Sequence, residues 1–260
     1  MAEIIHYVPT LALCMMRPLG MMLMLPLFKG GAMGSGLIRN TLVLMFALPI
    51  IPLMHTQSAD FSQMPMSGLI LVYGEEVIIG LIVGFCAAIP FWAIDMAGFV
   101  IDTMRGASMS TVLNPLMGLQ SSVFGMFFTQ ILSVLFLVTG GFNALLSALY
   151  LSYSTIPPDS VLSFNSNLLS FISDQWQMMS DMCLSFALPA MVVMIMVDAA
   201  LGLVNRSVEQ LNVFFLSMPI KSVLVVFLLL VSLNFALSHY LEQINQFENN
   251  ISTLFQLLKG

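Results

Sequence analysis

The stretch GLILVYGEEVIIGLIVGFCAAIPFWAI, residues Gly68–Ile94, decides the class of fold. Its only charged residues are Glu75 and Glu76, near its start, and it exceeds the roughly 20 residues that a helix needs to cross a bilayer. The apolar residues follow one another without the alternation that barrel strands require. The stretch therefore predicts a transmembrane α-helix.

The rest of the chain has the same character. Of its 260 residues, 59% are hydrophobic and only 8% are charged, whereas about a quarter of the residues in a soluble domain are charged. Gly68–Ile94 is the third of six apolar segments along the chain. The others are Ile4–Phe28, Leu37–Met54, Val123–Leu151, Cys183–Val204 and Ser222–Leu241. We therefore predict an all-α, multi-pass integral membrane protein with about six hydrophobic helices in a single domain.

The positions of Lys and Arg predict the orientation, because short cytoplasmic loops are enriched in these residues. The first, third and fifth connections contain Lys29 and Arg39, Arg105, and Arg206 and Lys221 respectively. The second and fourth connections contain neither residue type. This pattern places the odd-numbered loops in the cytoplasm and both termini on the opposite side.

Several classes of function are excluded by charge and motif. A net charge of −6 without a basic cluster argues against nucleic acid, and the scattered His and Cys residues lack metal-ligand spacing. Asp95 and Asp102 share a helical face but lie about 10 Å apart, too far to share a proton. We predict a protein without enzymatic activity, metal or cofactor.

Charged residues inside the apolar segments need a partner or water. Arg17, Glu76 and Asp198 are the clearest cases. One interpretation is interhelical pairing that fixes the packing, and the other is a role in a hydrated conduit. In the same region Gly80, Gly84 and Ala88 form a stripe of small residues that lets helices approach closely, so we expect this helix to be buried among others.

Two segments are amphipathic. Leu168, Ile172, Met179 and Met182 form a stripe that Gln175 interrupts, and Tyr240, Ile244, Phe247, Ile251, Leu254 and Leu258 form an unbroken one. For this tail we predict packing on a partner helix, because its opposite face carries Asn and Gln. A helix lying in the membrane interface is the alternative.

Residues Arg105–Gln120, RGASMSTVLNPLMGLQ, form an unusual connection. They are rich in Gly, Ser and Thr, and Pro115 disfavours helix at Asn114. Irregular backbone at membrane depth is tolerated only in protein or against a cavity, so a re-entrant loop or plug and an ordinary cytoplasmic loop are both open. Met104, Met109 and Met117, in and beside this connection, are adaptable side chains that would suit a seal.

An ordered set of motifs resembles the SctT/FliR family of type III secretion and flagellar export proteins, and the virulence-type SctT branch more than the flagellar FliR branch. The similar stretches are Ile38-Arg39-Asn40, GEEVIIGLIVGF at Gly74–Phe85, IPFWA at Ile89–Ala93, D-x-x-R-G-A-x-M at Asp102–Met109, Leu113-Asn114-Pro115, Gly140-Gly141 and LNVFFLSMPIKS at Leu211–Ser222. One departure is Ser207-Val208-Glu209-Gln210 after Arg206, where the family has an Ala-Pro dipeptide.

The resemblance implies an organisation of the chain. Residues 1–151 would be SctR/FliP-like helices, 152–182 a non-cytoplasmic loop with an amphipathic helix, 183–241 a SctS/FliQ-like hairpin and 242–260 an amphipathic tail. The 105–120 loop would be a pore plug, and its candidate residues are Arg105, Gly106, Met109, Val112, Leu113, Asn114, Pro115, Leu116, Met117 and Gly118.

The resemblance also implies a function and partners. The chain would form the bacterial inner-membrane entry pore for unfolded substrates together with SctR/FliP-type and SctS/FliQ-type subunits. A SctU/FlhB-type switch protein would face the loop that contains Arg206, Asn212, Phe214, Pro219 and Lys221. A multi-pass small-solute permease or channel subunit is the alternative, although the chain lacks the two similar halves typical of permeases.

Overall fold

The computed structural model describes residues 2–28, 35–56, 65–107, 122–158, 166–207 and 213–259. These residues contain no strand. Their α-helices are α1 (Ala2–Met24), α2 (Gly36–Ala47), α3 (Ile51–Thr56), α4 (Met66–Met104), α5 (Val123–Val138), α6 (Gly141–Thr155), α7 (Ser166–Ser207) and α8 (Val213–Lys259). The predicted all-α class of membrane protein is confirmed.

Apolar helices of spanning length occur in the described residues. α4 and α7 are long and apolar enough to cross a membrane, and α5 with α6 would supply a third, bent span. The apolar parts of α1, α2 and α8 are shorter: Val8–Met24, Gly36–Ile50 and Phe215–Val231. All six predicted apolar segments are therefore helical, while six as the number of spans stays a prediction.

The longest helices continue beyond the segments predicted from hydropathy. The amphipathic stretch near residue 175 and the fifth apolar segment form one helix, α7, and the sixth apolar segment continues into the tail as α8. A change from apolar to amphipathic composition does not end a helix, and Gly is absent between Ser166 and Cys183. At 1.5 Å per residue α7 is about 63 Å long, twice the hydrocarbon thickness.

The fourth apolar segment, in contrast, is not one straight helix. α5 ends at Val138 and α6 begins at Gly141, with a bend of 69° between them. Gly140 adopts φ 86°, a left-handed conformation that only glycine takes readily. The Gly140-Gly141 pair therefore marks a break that the length of the apolar segment did not predict.

The described chain divides into two compact units. Unit 1 contains Met1–Ile89, Leu137–Gln175 and Ile244–Gly260, and unit 2 contains Pro90–Phe136 and Trp176–Gln243. In unit 1, α1 packs against α2 and α3. Its core also includes residues from the other helices that contribute to the unit, among them Leu13, Met21, Phe46, Val83, Leu145, Leu149, Tyr153 and Leu254.

Unit 2 contains an antiparallel pair of helices. Lys221 near the start of α8 pairs with Asp198 late in α7, and the Tyr240 hydroxyl further along α8 donates to the Met182 carbonyl oxygen earlier in α7, at 3.5 Å. Aromatic rings connect this pair to α5, because the Phe186 ring lies 5.1 Å from that of Phe128. The core of unit 2 is therefore mainly aromatic and aliphatic.

The stripes of both amphipathic segments are covered by the chain itself. In unit 1, Phe247, Ile251, Leu254 and Leu258 of the tail are all buried. Gln175, which was expected to break the stripe of α7, is also buried, and its side-chain oxygen has no partner among the described residues. The tail stripe thus packs within the protein and not against a bilayer surface.

Candidate functional site

Arg17 and Glu76 form a buried ion pair in unit 1. The Arg17 Nε donates to Glu76 Oε2 at 2.5 Å, and its Nη2 donates to Oε1 at 2.8 Å. The exposed fractions are 0% for Arg17 and 1% for Glu76. Two parallel hydrogen bonds are the strongest arrangement for this pair of groups, so α1 and α4 are connected through a two-point contact.

The remaining donors of Arg17 are directed at α6 and the residue after it. Nη1 donates to the Ser152 hydroxyl at 3.1 Å, and Nη2 also donates to the Ile156 carbonyl oxygen at 2.6 Å. The guanidinium lies 4.2 Å from the centroid of the Tyr153 ring. Four of its five N–H groups are therefore bonded. A charge in an apolar interior requires such nearly full pairing of its donors.

Small residues make this arrangement possible. A Cβ atom on Gly80 would overlap the backbone of Arg17, and one on Gly84 would lie 2.6 Å from the Met21 carbonyl oxygen. Gly20 of α1 approaches Val77 of α4 in the same way. The backbones of the two helices therefore touch along the predicted stripe, and its last member, Ala88, is fully buried.

The predicted plug residues are only partly within the described part of the chain. Arg105 and Gly106 are described, whereas Met109, Val112, Leu113, Asn114, Pro115, Leu116, Met117 and Gly118 lie outside it. Gly106, at φ 91°, terminates α4. The Ala107 N–H donates to the Asp102 carbonyl and the Gly106 N–H to the Thr103 carbonyl, which is a Schellman motif.

The Asp102 side chain connects the two ends of the 105–120 segment. Its Oδ2 accepts hydrogen bonds from the Ser122 hydroxyl at 2.8 Å and from the Phe124 N–H at 3.0 Å. Its Oδ1 accepts from Arg105 Nε at 2.8 Å. A carboxylate at the N-terminus of α5 also interacts favourably with the helix dipole. We call Asp102, Arg105, Ser122 and Phe124 the Asp102 clamp.

A second ion pair lies at the end of α4. Lys221 Nζ is 2.6 Å from Asp198 Oδ1 and donates to the Met104 carbonyl oxygen at 3.3 Å. A cation close to the last carbonyl groups of a helix stabilises that end. Lys221, predicted for the loop that faces the switch protein, thus lies in α8 with its ammonium group bonded to the chain itself.

The other residues of the predicted switch-protein loop are distributed differently. Arg206, at the end of α7, and Pro219, within α8, are both exposed. Asn212 lies outside the described residues, and Phe214 belongs to α8. The helix therefore begins at Val213, within the loop predicted from sequence, and includes Pro219.

Comparison with known proteins places these features in a family. The family model described as bacterial export proteins, family 1, matches residues 8–247. The chain belongs to this export family. It is 45% identical to the secretion system apparatus protein SsaT of Salmonella typhimurium over 246 residues, which are 94% of this chain and 95% of that protein.

Two further relatives separate the branches of the export family. Yop proteins translocation protein T of Yersinia pestis is 34% identical over 96% of this chain and 95% of its own length. Flagellar biosynthetic protein FliR of Bacillus subtilis is 31% identical over 56% of this chain and 58% of its own length. The predicted resemblance to the secretion-type branch is confirmed, and the chain is a secretion-type component of a bacterial export apparatus.

Sequence reasoning missed several residues around the Arg17–Glu76 ion pair and in the Asp102 clamp of this export protein. Ser152 and Tyr153 were not predicted, because Arg17 reaches them over a separation of 135 residues or more. Asp102 and Ser122 carried usable signals. Asp102 is three residues before Arg105, a spacing that brings helical side chains together, and Ser122 precedes an apolar run, as N-cap residues do.

The Asp102 clamp leads to a prediction about stability. Replacing Asp102 by Ala should lower the free energy of unfolding by about 1–3 kcal/mol, because the Phe124 N–H and the Arg105 side chain lose an acceptor. Thermal unfolding of the purified protein in mild detergent measures this. Thr103→Ala is the matched control, since the exposed Thr103 hydroxyl bonds only to the Phe99 carbonyl of its own helix. Equal midpoints for the two variants would contradict the prediction.

Proposed function

We propose that the chain is a non-catalytic subunit of the export gate of a type III secretion system in the bacterial inner membrane. Its family and its apolar helices support this proposal. The relatives bear names of secretion, translocation and flagellar assembly proteins, and none of these names denotes an enzyme. Within the described residues, no three His, Cys, Asp or Glu side chains are grouped as a metal site would need.

The proposed gate contains SctR/FliP-type and SctS/FliQ-type subunits, and unfolded protein substrates pass through it. A single chain of this kind leaves much apolar surface open. Only 17% of the most apolar stretch of α7 is buried, against 67% for α4. Neighbouring subunits would cover such a surface in the assembled gate. Arg206, which is exposed, is the described residue best suited to meet a SctU/FlhB-type switch protein.

The proposed role of the 105–120 segment is to plug the pore. The observation that supports it is the Asp102 clamp, which joins α4 before the segment to α5 after it. Because the clamp bonds the end of α4 to the start of α5, the residues just before the segment and those just after it lie close together. Such a connection is suited to close a pore without altering the helices that bear it.

Deletion of Val112–Gly118 tests the plug. In the assembled complex we expect greater ion conductance across the membrane with unchanged subunit composition, because the clamp residues are all retained. Conductance is measured in planar bilayers or by ion-sensitive dyes in cells. The control is a variant in which the same residues are replaced by Gly and Ser, so that the segment keeps its length but loses its large side chains. This variant should conduct fewer ions than the deletion variant. Wild-type conductance in an assembled deletion variant would refute the plug.

A further inference from the structure

Asp95 is a carboxylate without a partner inside the described chain. It lies on α4 within unit 2, and its side chain is exposed and makes no ion pair or hydrogen bond with a described residue. Two other carboxylates in long apolar helices of this unit do have bonded partners. Asp102 holds the clamp, and Asp198 pairs with Lys221. Asp95 therefore needs a counter-charge or water from outside the described residues.

The position of Asp95 restricts where that counter-charge can lie. α4 and α5 cross at Gly98 and Gly125, where a Cβ on either glycine would overlap the other helix. The Asp95 carboxylate lies directly at this crossing, 2.5 Å from the position of a Cβ on Gly125. The tight crossing leaves no room for a cation behind the carboxylate. A partner can approach only from the open side of the two helices.

That open side is mostly apolar, and Gln130 of α5 is a further exposed polar residue there. The exposed neighbours on α4 are Met96 and Phe99, with exposed fractions of 37% and 42%. α5 exposes Val123, Met126 and Phe127, each by about half or more. Further along α5, Phe127, Ile131 and Val134 line an open groove of about 330 Å³. An ionised carboxylate among lipid tails costs about 2.5–3.5 kcal/mol on insertion scales, so this face is poorly suited to lipid.

We propose that the face formed by Asp95, Met96, Phe99, Val123, Met126 and Phe127 binds an apolar helix of a neighbouring apparatus subunit, and that a Lys or Arg on that helix pairs with Asp95. This inference rests on the proposed function. The charge of the partner follows from the unpaired carboxylate and from the net charge of −6 of this chain. Its apolar character follows from the side chains that surround Asp95.

Charge reversal tests the pairing. Asp95→Lys should lower the yield of the co-purified heteromer at least about tenfold, which corresponds to 1.4 kcal/mol. Yield and subunit composition are measured by native mass spectrometry after extraction in mild detergent. Asp181→Lys is the matched control, because Asp181 is exposed on the polar side of α7. Changing single Lys or Arg residues of the neighbouring subunits to Asp should identify one position that restores assembly of the Asp95→Lys chain.

A cross-linking variant keeps the test valid if Asp95→Lys fails to fold. Met96→Cys, in a chain whose Cys14, Cys86 and Cys183 are changed to Ala, should form an adduct with a neighbouring subunit through a short thiol-to-diazirine photo-cross-linker, which reacts whether the facing residue is Lys, Arg or apolar. An assembled complex without such an adduct would mean that the face meets lipid, and would overturn the inference while leaving the proposed function intact. A wild-type chain that carries no neighbouring subunits would overturn both.

Discussion

The variant Glu76→Ala is expected to lose about 3–5 kcal/mol of unfolding free energy, because it leaves a buried guanidinium without its counter-charge. Arg17 is fully buried, and two of its four hydrogen bonds end on Glu76. The Ser152 hydroxyl and the Ile156 carbonyl would remain, but neither carries a charge. Thermal unfolding in mild detergent, followed by the fluorescence of Trp92 and Trp176, measures the loss.

Two further variants show whether the charge or the contact matters. Glu75→Ala, next to Glu76 on the same helix but partly exposed, should change the unfolding midpoint little. The double variant Arg17→Met with Glu76→Met should recover most of the loss, because apolar residues of similar volume often replace a buried ion pair without cost. A Glu76→Ala protein as stable as the wild type would refute the structural role of the pair.

The helical class and the apolar segments could be predicted from sequence because their signals are local. The run Gly68–Ile94 needs no knowledge of its neighbours to be identified as a helix, and it lies within α4. The ends of helices were harder to predict. The bend at Gly140 depends on one backbone conformation, and the continuity of α7 from Ser166 to Ser207 depends on the absence of a stop signal.

The sites were predictable to the extent that their residues stand out from their surroundings. Arg17 and Glu76 were conspicuous as charges in apolar segments, and Gly80 and Gly84 as a spaced pair. The partner of each charge was not predictable, since pairing is decided by which helices meet. Asp198 bonds to Lys221, a residue that the charge pattern had placed in a loop. Asp102 was noted as part of a family motif and as a carboxylate too far from Asp95, but not as a partner of Ser122 or Phe124.

Replacing Gly80 by Ala is expected to destabilise the protein by about 1–3 kcal/mol or more, although it adds only one methyl group. The added Cβ would overlap backbone atoms of Arg17, which cannot move aside as a flexible side chain can. α1 and α4 would have to separate, and the separation would also lengthen the hydrogen bonds between Arg17 and Glu76. We therefore expect a lower unfolding midpoint and a smaller additional effect of Glu76→Ala in this background.

Gly74 offers a matched control on the same helix. A Cβ on Gly74 meets nothing within 4 Å, so Gly74→Ala removes backbone entropy from the unfolded state without a clash. It should raise the stability by up to about 1 kcal/mol, the difference in helix propensity between the two residues. The same Gly→Ala substitution at two positions six residues apart would then change the stability with opposite signs. This result would distinguish the effect of helix packing from that of helix propensity. A stabilising Gly80→Ala would mean that α1 and α4 do not touch along this stripe.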